Sequence, residues 1–275
     1  TRLLIINSPH NPSGTVWTAR QMQQLQTLLA PTDVLLLSDE VYEHMVFDGQ
    51  PHQSVSRYPE LAARSLVVSS FGKTFHVTGW KVGTVAAPAA LTAEFRKIHQ
   101  FNVFTVNTPM QAGLAHYLQH LEHNPQDPGH YPNLSAFYQR KRDLFRQGLA
   151  GTGFRLLDCA GTYFQVADVT DLLQDKALRA GVLEHRSDTS AAPTVTDHGN
   201  NGSTPNHPVD GQRPAQSSDA PTEAAFCEWL TARIGVAAIP LSPFYGDGRN
   251  QNLIRFCFAK KDETLHAALE RLTRL

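Results

Sequence analysis

Short, wholly apolar runs alternate with amphipathic stretches through the first half of the chain. Residues 3–6 (LLII), 34–37 (VLLL) and 66–68 (LVV) carry no charge and are too short for buried helices, so they read as strands. Between the first two, residues 18–29 open with Thr18-x-x-Gln21, a capping box, and set Met22, Leu25 and Leu29 on one face. That pattern predicts a crossover helix. A second helix is expected from Thr108, with Pro109 at its first position, Gln111 closing a capping box, and Met110, Leu114, Tyr117 and Leu121 as its apolar stripe. Strands that alternate with helices in this way imply an α/β layer structure.

The pattern changes near residue 130. Residues 124–133 are rich in Pro, Gly and Asn, and a charged helix is expected over 134–149. Strands at 154–157, 162–167 and 253–258, with helices at 226–234 and from Asp262, then describe an α+β unit. We therefore expect two domains, residues 1–130 and 131–275. Within the second, residues 186–221 are dominated by Ser, Thr, Asp, Asn, Gly, Pro and His and offer no core, so a disordered insertion is expected there. His185, His198 and His207, in and beside that stretch, have no ligand-like spacing and read as solvated loop residues.

Composition narrows the function. With 275 residues, 41% of them hydrophobic, the chain can bury a core; its formal net charge of −1 and scattered Lys and Arg exclude the basic footprint of a nucleic-acid binder. The apolar runs are far too short to span a bilayer, so no membrane segment and a cytoplasmic location are expected. Cys159, Cys227 and Cys257 lack the paired spacing of a zinc site or a disulfide framework and read as reduced core thiols, with no metal centre expected. Thr1-Arg2 runs directly into a strand without an initiator Met, which reads as an N-terminal truncation.

Three segments carry candidate chemistry. Residues 7–14 (NSPHNPSG) pack turn formers directly after a strand, where α/β proteins bind ligands, although a tight turn alone would need the same residues. Residues 34–42 (VLLLSDEVY) deliver Asp39 at the end of a buried strand, where a carboxylate needs a cation or strong donors; a helix cap is the alternative. Residues 66–83 (LVVSSFGKTFHVTGWKVG) place Lys73 after a strand with no acid nearby in sequence, suited to a neutral amine nucleophile. Ser70 and Lys81 flank it with a hydroxyl and a second cation, suited to a phosphate. Arg255, in LIRFCFA (residues 253–259), reads in isolation as a strand arginine at the surface.

In order and approximate spacing, these segments resemble the fold-type I aminotransferases of classes I and II, which use pyridoxal 5'-phosphate (PLP). Residues 9–17, 38–44 and 79–83 look most like the methionine and kynurenine/glutamine aminotransferase branches. The resemblance implies the PLP-dependent transferase fold: a three-layer large domain with a mostly parallel sheet, plus a smaller C-terminal α+β domain. It implies Lys73 as the Schiff-base lysine, Asp39 as partner of the pyridine nitrogen, and Asn11 and Tyr42 as donors to the ring's phenolic oxygen. Ser70 and Lys81 would hold the phosphate, with Lys81 where many relatives carry arginine. Arg255, with Asn11 beside it, would bind the substrate α-carboxylate. The implied reaction is transamination between an amino acid (methionine, aromatic or glutamine-like) and a 2-oxo acid, in a homodimer when full length. Trp17, Phe104 and Phe244 are candidates for an aromatic-lined substrate pocket. The family's phosphate-cradling loop and stacking aromatic lie before the Asn-Pro motif, so this fragment alone is expected to be inactive. A PLP-dependent β-lyase of cysteine conjugates, or an aminotransferase-like sensor domain of a regulator, would reuse the same residues.

Overall fold

The computed structural model describes residues 1–124, 126, 133–190 and 221–275. Strands β1 (Leu3–Asn7), β2 (Leu35–Asp39) and β3 (Ser65–Ser70) lie parallel in that order, and β4 (Gly83–Ala86) joins β3 antiparallel. Helix α1 (Ala19–Leu29) makes the expected crossover between β1 and β2. Its capping box forms: the Thr18 hydroxyl accepts from Gln21 N, and Gln21 Oε1 accepts from Thr18 N at 2.8 Å. Met22, Leu25 and Leu29 bury against Ile6 and Leu36, with Val55, Tyr58 and Leu61 closing the cluster. The last two flank α2 (Pro59–Ala62) and sit in it, respectively. Parallel strands on one crossover put all their carboxyl ends at one edge, and that edge carries the site.

Beyond β3 come α3 (Phe71–Thr74), α4 (Ala89–Asn102) and α5 (Thr108–His123). The start of α5 departs from expectation by one residue. Asn107 is the cap, its side chain accepting from Met110 N at 3.2 Å, while Gln111 donates to Val106 O at 3.0 Å. Asn is as good a cap as Thr, and placing it first leaves Pro109 in the opening turn, where no N–H is needed. Of the predicted stripe only Leu114 is buried. Strand β4 and helix α4 were not expected from the sequence. Four residues at an edge give β4 almost no pattern, whereas α4 carries an apolar stripe, Leu91, Phe95 and Ile98, that it leaves unburied.

The second sheet is antiparallel, in the order β5-β6-β8-β7, built from β5 (Arg155–Leu156), β6 (Phe164–Asp168), β7 (Ile239–Pro240) and β8 (Leu253–Cys257). Around it stand α6 (Leu134–Gly148), α7 (Thr170–Gln174), α8 (Lys176–Ser190), α9 (Glu223–Trp229) and α10 (Asp262–Leu272). The predicted helix at 226–234 is α9 continued by a π turn over Leu230–Ile234. Helix α8 overlaps the expected insertion, so residues 186–190 are helical, His185 lies in that helix rather than in a loop, and Pro221 is buried. Residues 191–220, with His198 and His207, lie outside the described residues. Cys159 and Cys227 are buried thiols, each pushed up to about 12 by burial, and Cys257 is half-buried; all three are free.

Tyr42, Met45 and Phe47, from the segment after β2, pack into the core of the second sheet. The adjoining Asp48 is gripped by Arg142 of α6 through two bonds of 2.7 Å, and Arg142 also donates to Cys159 O at 2.9 Å. Those hydrogen bonds from Arg142 hold the Asp48 carboxyl below its usual range. A depressed carboxyl stabilises the fold above its unfolded value and ceases to do so as pH falls through its folded value. Asp48→Asn should therefore be less stable than the parent at neutral pH, and the gap in urea midpoint should close below about pH 4. A gap that stays constant on acidification would contradict this role.

Candidate active site

The loop after β1 is tied to the neighbouring strand end. Asn7 Nδ2 and Ser8 N both donate to Asp39 O, at 2.9 and 3.0 Å, while Asn7 Oδ1 accepts from Asn11 N at 2.8 Å. Asn7 thus folds the turn back so that Asn11 stands over the sheet edge. Gly14, at φ +72°, closes the loop, and its carbonyl accepts from Ala160 N and Gly161 N at 2.9 and 3.0 Å. A side chain there would be strained and would press on Cys159 Sγ, 3.2 Å from where its Cβ would sit. The loop is thereby bonded to the chain entering β6. From β8, the Arg255 Nη1 donates to Asn11 Oδ1 at 2.6 Å, so one hydrogen bond joins the edges of the two sheets.

Asp39 ends β2 half-buried. Sequence reasoning expected a cation opposite it, but among the described residues no ion pair falls on Asp39; its Oδ1 accepts only from Val41 N, at 3.3 Å. Glu40 is different. Only 1% exposed, it takes Ser38 Oγ at 2.8 Å, His52 Nε2 at 2.8 Å and Val55 N at 3.0 Å. Burial pushes its carboxyl up, but these donors outweigh burial and hold it below the usual range. Glu40, Glu43 and His52 bring ligand-type atoms within 4.8 Å of one another, yet Glu40 is committed to three donors, so the cluster serves as an anchor for the chain after β2.

At the end of β3, Ser70 precedes α3 and its hydroxyl makes no capping bond. Gly72 packs so close to Thr78 that a Cβ would lie 2.8 Å from its Cα, which fixes the turn that presents Lys73. Lys73 Nζ donates to Tyr163 Oη at 3.4 Å and sits 5.6 Å from the Tyr42 ring centre, with no ion pair among the described residues. Tyr42 is 3% exposed and donates to Tyr163 Oη at 3.5 Å; burial first, and Tyr163 second, push its phenol up, so it stays protonated. Lys81 is exposed, at a left-handed φ of +56°, two residues before Gly83, which faces Ser70 in the β3–β4 register. The structure thus gathers Asn11, Asp39, Tyr42, Lys73 and Arg255, and places Ser70 and Lys81 at the same sheet edge. The aromatic candidates are more dispersed: Trp17 packs on the first core, whereas Phe104 and Phe244 are 78% and 49% exposed.

Two residues of the site escaped the sequence reading. Phe164, buried on β6, lies 3.9 Å beneath the Arg255 guanidinium, and Tyr163 meets the Tyr42 ring edge-on at 5.2 Å. An aromatic pair opening a strand is ordinary core by composition; only the pairing of β6 with β8 brings it under Arg255. Desolvation lowers the Arg255 pKa, and its Nε is buried without a hydrogen-bond partner among the described residues. The guanidinium therefore retains donor capacity for an incoming carboxylate. A cavity of about 300 Å³ between α10 and β8 is lined by none of these site side chains.

Parallel strands with their carboxyl ends at one edge, joined to a smaller antiparallel unit, give the chain the fold of the fold-type I PLP-dependent transferases, which its structural neighbours share. The chain belongs to the family of class I and II aminotransferases, whose model matches residues 1–272. It is 42% identical to methionine aminotransferase of Escherichia coli over 275 residues, covering all of this chain and 58% of that protein. It is 31% identical to kynurenine–oxoglutarate transaminase 1 of Mus musculus, covering 99% of this chain and 57% of that protein. The crystal structure of an Escherichia coli methionine aminotransferase superposes with a TM-score of 0.77 at 41% identity, over all of this chain and 59% of the other. That of N-succinyldiaminopimelate aminotransferase from Mycobacterium tuberculosis gives 0.73 at 30% identity, over all of this chain and 58% of the other. The chain thus spans a little over half the length of the relatives it matches.

Gly161 is the hinge on which the second sheet meets the site. A Cβ there would lie 2.8 Å from both Met45 O and Pro9 Cβ. Gly161→Ala should cost about 1–3 kcal/mol as overpacking, read as a lower urea midpoint. A variant as stable as the parent would show that this junction yields freely.

Proposed function

We propose that this chain carries the lysine, carboxylate and arginine of a PLP-dependent amino-acid aminotransferase, which passes an amino group between an amino acid and a 2-oxo acid. The observation that carries the reading is Lys73: an amine without an ion pair among the described residues, bonded to a phenol, at the edge where Arg255 reaches Asn11. The side chains fit the group. Asp39 has a carboxylate for the pyridine nitrogen that forms no ion pair among the described residues, Tyr42 a phenol kept protonated, and Ser70 a hydroxyl not used in capping. PLP supplies an aldehyde to engage amines and a ring that withdraws electrons from the substrate's Cα.

The chain's own residues do the rest. Lys73 would hold the cofactor through Nζ and would take and return the proton at the substrate's Cα. Asp39 keeps the ring nitrogen protonated. Asn11 divides its amide: Oδ1 must face Arg255, since a guanidinium has only donors, which leaves Nδ2 to donate to the ring oxygen beside Tyr42. Arg255, stiffened by Phe164 below and Asn11 at its side, binds the α-carboxylate and orients the Cα–H bond. Ser70 and Lys81 take the phosphate. The identity to methionine aminotransferase supports methionine as an amino donor, and Phe101, Phe104 and Ile98, exposed on and after α4, support a homodimer that covers them.

Borohydride reduction of the cofactor-loaded protein, followed by peptide mapping, should place the pyridoxyl group on Lys73. Label on another lysine would overturn the assignment. Arg255→Ala should weaken the amino acid's productive binding by about 2–5 kcal/mol while cofactor absorbance is retained, because its partner is the substrate. Loss of cofactor or of folding in that variant would make Arg255 structural.

A further inference from the structure

We infer that Tyr163 is a positioning residue for Lys73: its hydroxyl holds the lysine amine in place whenever that amine is unattached. The inference rests on the function proposed above, in which Lys73 must be free while it moves the Cα proton. Among the described residues the Lys73 amine has one hydrogen-bond partner, Tyr163 Oη at 3.4 Å, and the same oxygen also accepts from Tyr42 Oη at 3.5 Å. A long, flexible lysine otherwise samples many rotamers, and each misplaced one is unproductive.

Tyr163 is itself built to stay put. Thr162, fully buried at φ +67°, donates its N–H to Met45 O at 2.9 Å, and Tyr163 O accepts from Phe258 N at 3.0 Å. Its ring is wedged against Phe164, Tyr42 and Tyr138, with centroids at 4.7, 5.2 and 5.5 Å. The preceding Gly161 is bonded to Gly14 O, so the loop that carries Asn11 also sets the phenol. A ring so fixed gives the amine a stationary acceptor on the side of the site nearest Arg255, whose guanidinium lies over the adjacent Phe164.

The test compares the cofactor-loaded parent with Tyr163→Phe, using Tyr138→Phe as a control; Tyr138 touches Tyr163 but its hydroxyl pairs with His76 Nδ1 at 3.2 Å. Methionine is the substrate, protiated or deuterated at Cα, and one half-reaction is followed by stopped flow. Tyr163→Phe should slow the half-reaction roughly tenfold, the rate equivalent of one hydrogen bond of about 1.4 kcal/mol. The deuterium effect should rise, while methionine affinity and melting temperature stay near the parent's. In the cofactor-free protein, acylation of Lys73, mapped by mass spectrometry, should speed up several-fold in Tyr163→Phe because the amine is no longer held. Parent-like rates and isotope effects in Tyr163→Phe would overturn the inference, as would an equal slowing in Tyr138→Phe. A parent that carries no cofactor on Lys73 would overturn the functional reading and the inference together.

Discussion

Backbone bonds from Ala160 and Gly161 to Gly14 O tie the antiparallel unit to the edge of the parallel sheet, and on that junction Arg255 Nη1 reaches Asn11 Oδ1, the hydrogen bond that sets the arginine in the site. Bringing a guanidinium out of water is costly unless it finds acceptors, and desolvation is the leading influence on Arg255. The protein meets that cost only in part: Asn11 takes one N–H, the Phe164 face takes the cation, and Nε is left waiting. An arginine satisfied in this partial way is held in place yet still short of a carboxylate. The backbone bonds from Ala160 and Gly161 to Gly14 O give the same junction its rigidity.

Around that junction the charges are kept apart by design of the fold. Lys73 and Asp39 stand at neighbouring strand ends, but neither forms an ion pair among the described residues. The carboxylate that does find strong partners is Glu40, one residue further on, which faces the opposite side and pins the chain through His52 and Val55. Alternation along the backbone thus separates an anchoring acid from one left available to a ligand. The buried Tyr42 beside the amine keeps its phenol protonated and so offers a hydrogen bond without adding charge.

Much of this was legible in the sequence where local chemistry is strong. The strand–loop–capped helix at residues 3–29, the strand delivering Asp39 and the turn presenting Lys73 each follow from residues adjacent in the chain. Arg255 was legible only through resemblance, since nothing local distinguishes it from a surface arginine. Tyr163 and Phe164 were not legible, because their role arises from β6 pairing with β8 some ninety residues later and from a turn clamped by Gly14. The cap of α5 moved to Asn107 because two good capping residues stood side by side. His185 and residues 186–190 joined a helix that polar composition concealed.

The most direct test of the whole account is a product balance with methionine in the absence of any 2-oxo acid acceptor. The cofactor-loaded full-length protein should release one 2-oxo acid per site, bleach its aldehyde-form absorbance, and liberate no ammonia, because the amino group stays on the cofactor. Continuous release of ammonia without an acceptor, or no reaction at all, would contradict a transaminase assembled around Lys73 and Arg255.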